Sequence, residues 1–364
     1  MRQNASARSI GAFTFAVLLL FFPLSAPAQN SQTEGMSDLT ILPFVYYTPE
    51  TKTAFVLTGI YTWRDPVEGS RPSSLLGFAT ITTENQRMFS VLPEIYTSSG
   101  ARITLQASAV DFPDKFYGIG SDTREEDEED LTRRGGHVEG SYQFRVLPDL
   151  FAGPRFDWEE LDLEDIEPGG LLDSGSITGS EGGVVFGAGL QVTYDTRDDV
   201  FWPSKGVYGE GTMMLYSEDA GSDFDYETAI LDLRGFFTPR SWTLAFQQYL
   251  HLSGGEPPFD RLAQLGGAQL MRGYFRGRFR DKNLAAIQAE SRIPLSSRFS
   301  LVVFTSAGSV ASSPGDLMDG EIFTALGSGL RYRLSEAEAV NFRFDLAFGE
   351  GGNNGVYFTI REAF

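Results

Sequence analysis

The stretch "AVNFRFDLAFG", Ala339 to Gly349, alternates with a period of two. Val340, Phe342, Phe344, Leu346 and Phe348 share one face, and Asn341, Arg343, Asp345 and Ala347 share the other. An extended strand is the conformation that sends every second side chain to one side, and aromatic and β-branched residues suit its pleated surface. The same split recurs in "ALGSGLRYRL", where Leu326, Leu330, Tyr332 and Leu334 oppose Gly327, Gly329, Arg331 and Arg333. It recurs again in "RITLQASA", with Ile103, Leu105, Ala107 and Ala109 opposite Arg102, Thr104, Gln106 and Ser108.

Working outward, alternating runs predict sixteen strands. Eight lie at 39–47, 53–63, 74–83, 88–97, 101–112, 136–147, 150–163 and 183–197. Eight more lie at 206–218, 224–239, 242–254, 284–295, 298–311, 324–335, 339–349 and 355–364. Connections after even-numbered strands include the short ones, 148–149, 240–241 and 296–297; those after odd-numbered strands include the long ones, 113–135, 164–182, 255–283 and 312–323. Short turns on one side and long loops on the other describe an all-β, antiparallel transmembrane barrel with its short turns periplasmic. A strand in lipid has no water for its N–H and C=O groups, so only a sheet without free edges spans. About 9–11 tilted residues suffice to cross, which most of these runs supply. An aromatic content of 13%, with Phe and Tyr at strand ends, fits two interfacial girdles. A soluble β-sandwich also alternates, but it leaves the loop asymmetry unexplained.

The first residues, "MRQNASARSIGAFTFAVLLLFFPLSAPAQN", place Arg2 and Arg8 before an apolar run and then Ala26-Pro27-Ala28. This is the layout of a secretory signal peptide over residues 1–28, followed by a short segment at 29–38 and the barrel at 39–364. The apolar run is shorter than the roughly 20 residues of a spanning helix. The chain has a formal net charge of -20 and no cysteine, so neither disulfides nor thiolate-bound metal hold it. Such acidity repels nucleic acid and favours solubility and external loops. The run "REEDEED", Arg124 to Asp130, reads as a solvated face, with cation bridging to lipopolysaccharide as the functional rival. It lacks the spacing of a calcium loop. With two histidines, His137 and His251, no zinc site or Cys-His pair is predicted, and "YLHLSGG" around His251 carries no nucleophile motif. No catalytic residue, metal or cofactor is expected.

Against that acidity stands "GGAQLMRGYFRGRFRDKN", residues 266–283, where Arg272, Arg276, Arg278 and Arg280 fall within nine residues. "LMRGYFRGRFRDKN" resembles the Arg-Gly-aromatic loop of the bacterial surface antigen barrel, the transmembrane part of the outer-membrane assembly-factor superfamily. Its place between the eleventh and twelfth strands agrees. "AESRIPL", with Glu290, Arg292 and Pro294, resembles the family's Glu-x-Arg-x-Pro strand, and "VVFTSAGSV" its Phe-x-Asp-x-Gly pattern, with Ser306 at the aspartate position. "GSGLRY", "FRFDLAFG" and "YDTRDDVFWPSKG", Tyr194 to Gly206, are similar to further family stretches, and "KFYGIGSDT" is the match in the first half.

The resemblance implies a loop folded back into the lumen, with Arg272, Gly273 and Tyr274 as its motif, Glu290 as the first partner of Arg272 and Asp345 as the second. A planar guanidinium holds carboxylates bidentately, and Gly273 lets the backbone turn tightly. With Ser306 in place of an acid, the loop has one negative partner fewer and a looser hold. Arg276, Arg278 and Arg280 either balance lumen acids such as Asp195 and Asp232 or form a basic constriction. The last strand is expected to end in Phe364, with Glu362 at a position usually apolar. The resemblance further implies an outer-membrane factor for protein or lipid insertion or transport, working through a weak seam between first and last strands. Its partners would be membrane lipid, lipopolysaccharide, unfolded outer-membrane or secreted clients and, as no polypeptide-transport-associated domain is read, a separate periplasmic protein. The alternative is a passive pore or structural barrel.

Overall fold

A computed structural model describes residues 38–63, 73–333, 341–360 and 362–364. The expected signal peptide lies outside the described residues. The first strands are β1 (Asp38–Thr48), β2 (Lys52–Trp63), β3 (Ser73–Thr82), β4 (Arg87–Tyr96), β5 (Arg102–Phe116) and β6 (Glu129–Leu147). Next come β7 (Leu150–Glu164), β8 (Gly183–Asp195), β9 (Gly206–Tyr216), β10 (Tyr226–Phe237) and β11 (Thr243–Gly255). Two short strands, β12 (Ala263–Leu265) and β13 (Phe279–Asp281), precede β14 (Asn283–Pro294), β15 (Phe299–Ala311), β16 (Phe323–Arg333), β17 (Asn341–Gly349) and β18 (Asn354–Ile360). All but β12 and β13 form one closed antiparallel barrel of sixteen strands. No helix among the described residues is long and apolar enough to cross a membrane.

The two faces sort as the alternation dictates. On β17, Phe344, Leu346 and Phe348 are exposed, while Arg343 and Asp345 are buried at 2% and 0%. Leu326, Leu330, Ile287, Met213 and Leu215 continue the exposed apolar face around the wall. An apolar surface this extensive is unstable in water and stable in hydrocarbon.

Closure is uneven. Between β1 and β2 the ladder runs from Asp38↔Thr62 to Thr48↔Lys52. Between β1 and β18 the described residues form one pair, Tyr47↔Phe358. β18 is 7 residues long, against 11 for β1. Pro43 in β1 also has no N–H to give a neighbour.

Three elements differ from the sequence expectation. β5 and β6 continue to Phe116 and start at Glu129, paired through Phe112↔Arg133 and Phe116↔Glu129, where a loop over 113–135 was expected. At 15 and 19 residues they outrun the membrane, and beyond lipid neither face needs to be apolar, so the alternation fades. The expected loop at 255–283 carries the β12–β13 hairpin, paired from Ala263↔Asp281 to Leu265↔Phe279. Finally, β18 stops at Ile360, and Phe364 is not on the strand: it is buried against Phe236 and Ala245 of the inner face.

The seam register is testable by cross-linking, because directly opposed residues bring their Cβ atoms within disulfide reach. A chain carrying Tyr47→Cys and Phe358→Cys should form the intramolecular disulfide under mild oxidation in detergent, whereas Ile41→Cys with Phe358→Cys should stay reduced. The reverse pattern on a non-reducing gel would mean that the strands meet elsewhere.

Candidate functional site

The segment between β11 and β14 is held against the inner face by its backbone first. Met271 and Gly273 both take positive φ, 56° and 111°, which turns the chain sharply around Arg272. A Cβ on Gly273 would come to 3.0 Å from the Gly349 nitrogen, so the position needs glycine for space as well as for φ. The Met271 N–H donates to Gln288 Oε1 at 3.1 Å, and the Gly273 N–H donates to the Tyr357 hydroxyl oxygen at 3.0 Å. The Tyr274 hydroxyl donates to the Thr324 carbonyl at 2.8 Å and accepts the Glu350 N–H at 2.9 Å. Tyr274 and Phe279 pack with Phe323, the two phenylalanine rings stacked with centroids 3.8 Å apart.

Those contacts deliver Arg272, 1% exposed, to two carboxylates. Its Nη1 lies 2.6 Å from Asp345 Oδ2, its Nη2 bonds Glu290 Oε1, and its Cζ stands 3.5 Å above the Phe304 ring centroid. Further arginines complete a network. Arg292 reaches Glu290 at 3.2 Å; Arg331 reaches Asp345 at 2.5 Å and Glu362 at 2.6 Å; Arg343 lies 3.5 Å from Asp345 and donates to the Ala268 carbonyl. Gly329 makes the room, since a Cβ there would sit 1.9 Å from Asp345 Oδ1. Ser306 is buried and its hydroxyl has no hydrogen-bond partner among the described residues. Asp345 on β17 meets Nη1 and Glu290 meets Nη2, while Arg272 Nε has no hydrogen-bond partner among the described residues.

The same segment has a second anchor that sequence reading missed. Arg261 donates to Asp157 at 3.1 Å and pairs with Glu159 at 2.5 Å, both on β7. Four strands, β8 to β11, separate β7 from β14 around the wall. The segment is therefore a strap tied to two distant parts of the inner face. The contact joins residues 104 apart, and no local pattern in the sequence announces it.

The remaining arginines divide. Arg278 donates to the Thr123 hydroxyl and carbonyl, and its Cζ lies 5.2 Å from the Tyr117 ring, whose phenol burial and Glu128 push up. Arg280 is buried over Phe116 and Phe259, and burial presses its guanidinium pKa down while Asp114 opposes the fall. Arg276 is exposed; its N–H donates to Glu50 in the β1–β2 turn, and its Nε donates to Gln264. Asp195 and Asp232 are met by Arg197 and Arg234 rather than by this row.

Two other clusters hold groups capable of chemistry. His137, Glu139 and Asp157 bring ligand atoms within 4.8 Å of one another. Arg155 takes Glu139, and Arg261 and the Tyr216 hydroxyl take Asp157, so guanidinium charge already occupies the place a cation would need. His251 Nε2 lies 3.1 Å from Ser253 Oγ, yet among the described residues no carboxylate bonds the imidazole, so no acyl-transfer triad is assembled.

A closed sixteen-strand barrel with a strap bound to its inner wall defines a class of outer-membrane protein. The Omp85 superfamily domain model matches residues 95–364, and the chain belongs to that superfamily. A search of the curated proteins finds no match. Similar solved structures include BamA from Haemophilus ducreyi lacking POTRA domains 1-3, at 14% identity and a TM-score of 0.61, covering 91% of this chain and 70% of that one. CdiB from Acinetobacter baumannii is similar at 11% identity and a TM-score of 0.53, covering 90% and 65%. CdiB from Escherichia coli gives 11% and 0.55, covering 91% and 63%. The chain thus spans just under two thirds of either CdiB chain, and at these identities the likeness is one of fold.

Removing one partner from a buried ion network strands the others and costs about 3–5 kcal/mol. Arg272→Ala should lower stability by about that amount in urea titrations of the folded barrel, and Arg272→Lys should fail to rescue it, since an ammonium does not span two carboxylates. Among the other arginines, exposure should decide conductance: Arg276→Gln should shift the reversal potential in planar bilayers, and Arg278→Gln should leave it within error.

Proposed function

We propose that this barrel assists the insertion or passage of client polypeptides at the outer membrane, with the β1–β18 seam as the moving part and the strap as the element that holds it. The observation that carries the reading is that the described residues form one ladder pair at the seam, Tyr47↔Phe358, beside the full ladder between β1 and β2. A seam with so few backbone bonds is the place where the wall parts at least cost. In this reading residues 1–28 are a cleaved signal peptide and 39–364 the barrel. Arg272, Gly273 and Tyr274 lock the strap through Glu290 and Asp345. The clients are unfolded outer-membrane or secreted proteins, delivered by a separate periplasmic protein, and the outer wall faces lipid and lipopolysaccharide.

A passive pore is the competing reading. The strap speaks against it, because Arg261 and Arg272 tie it to parts of the wall with four strands between them and it stands in the path of solutes. Depletion of the protein, followed by proteomics of the outer membrane, separates the two. Loss of other barrels from the membrane and build-up of their unassembled forms is the expected outcome. An unchanged outer membrane, together with steady conductance of the purified protein, would turn the assignment to a pore.

A further inference from the structure

The segment after β18 occupies a place on the inner face that is built by the wall rather than by the segment. Glu362 lies in a fork formed by Arg331, at 2.6 Å, and by Asn341, whose Nδ2 donates to Glu362 Oε1 at 3.2 Å. Phe364, 5% exposed, fills an apolar site against Phe236 and Ala245. Between the two, Arg292 donates from Nη2 to the Phe364 main-chain oxygen at 3.0 Å, and its Cζ lies 4.8 Å from the Trp202 ring centroid and 5.4 Å from that of Phe236. Trp202 belongs to the β8–β9 connection, and Arg292 fixes that connection too by donating to the Pro203 carbonyl at 3.3 Å.

The groups that touch Glu362 and Phe364 come from β10, β11, β14, β16 and β17, and the β8–β9 connection backs Arg292 through Trp202 and Pro203. A carboxylate fork, a main-chain clamp and an aromatic slot, set two residues apart, read a pattern of Glu, any small residue, then an aromatic. Beside them a cavity of about 250 Å³ is lined by Trp202, Arg292, Arg298, Arg333 and Asn341. Arg298 and Arg333 form no ion pair among the described residues. Two cations that have no ion pair among the described residues, at the edge of an occupied carboxylate site, give charge for a longer, more acidic chain than the one present.

We infer that the short-turn end of the bore carries a peptide-binding site for acidic segments with a Glu-x-aromatic pattern, and that Glu362–Phe364 occupies it in cis. A tethered occupant acts at an effective concentration of the order of millimolar, so it masks the site from a weak ligand in solution. The inference concerns a binding site and stands whether or not the barrel works as an assembly factor.

The test uses the full chain in detergent and a fluorescein-labelled peptide with the sequence of Ile360–Phe364 preceded by two aspartates. In anisotropy titrations Phe364→Ala should bind the peptide at least tenfold more tightly than the unaltered chain, because the cis competitor is weakened. Adding Trp202→Ala to Phe364→Ala should remove the gain. Equal affinities for the unaltered chain and Phe364→Ala, or a gain indifferent to Trp202, would overturn the proposal and leave the segment as a fixed closure. Since the chain has no cysteine, Ala363→Cys supplies a second readout that keeps every recognising side chain. Its labelling by a polar maleimide should be slow alone and at least fivefold faster with saturating unlabelled peptide. A rate that the peptide does not change would equally overturn the site, and this readout decides if Phe364→Ala does not fold.

Discussion

Lipid offers the backbone no hydrogen-bond partner, and the structure follows from how this chain meets that demand around a wall with one poor joint. Fifteen of the junctions are extended ladders, one of them with a register shift between Arg145 and Leu147, and among the described residues the sixteenth holds a single pair. From inside, the strap reaches both sides of that joint: Gly273 N–H donates to Tyr357 on β18, and Arg276 N–H donates to Glu50 between β1 and β2. A hydrogen bond contributes about 0.5–1.5 kcal/mol net, somewhat more to a charged acceptor. Two of them compensate for a few missing ladder bonds without sealing the joint. The seam is thereby tied from within, by a separate element, rather than zipped along its length.

The tie holds only if the strap is in place, and ion pairing places it. Arg272, Arg292, Arg331 and Arg343 meet Glu290, Asp345 and Glu362, four buried cations against three buried acids. Desolvating each charge costs several kcal/mol, so such a network adds little net stability. It does make any other position of the strap expensive, because a displaced Arg272 takes its guanidinium away from two buried carboxylates, Glu290 and Asp345, at once. The surplus charge shows in donors left over: among the described residues Arg343 Nη1 and Arg331 Nη2 have no hydrogen-bond partner. The Phe304 ring beneath Arg272 supplies part of what a further acid would, through the negative face of its π system.

How much of this the sequence discloses depends on the range of the interaction. Faces of strands are legible because period two is a local signal, and Asn341, Arg343 and Asp345 fall inward as their spacing requires. Glu290 and Asp345 stand out only through motifs, being 18 and 73 residues from Arg272. Arg261 is invisible, because its meaning lies in Asp157 and Glu159 on a strand far back in the chain. The extended ends of β5 and β6 escape for the opposite reason: outside lipid the constraint that writes the alternation no longer acts. Phe364 misleads by composition, since an aromatic after an alternating run reads as one more strand residue, whereas Arg292 and the Phe236 pocket draw it inward.

These features rank the routes through the protein by cost. Along the bore, a passing chain meets Glu362–Phe364 at one end, then the strap with its buried ion pairs, then the cluster of Phe116, Leu131, Leu172, Phe259 and Leu262 beneath the long loops. Clearing that path breaks several charged contacts at once, each worth more than a neutral hydrogen bond. Sideways, between β1 and β18, the same chain has, among the described residues, one ladder pair and two strap hydrogen bonds to displace, and it offers its own backbone N–H and C=O groups in exchange. An incoming strand at that edge replaces what it breaks, which nothing moving along the bore does, so the wall rather than the bore is the route that the energetics of this barrel favour.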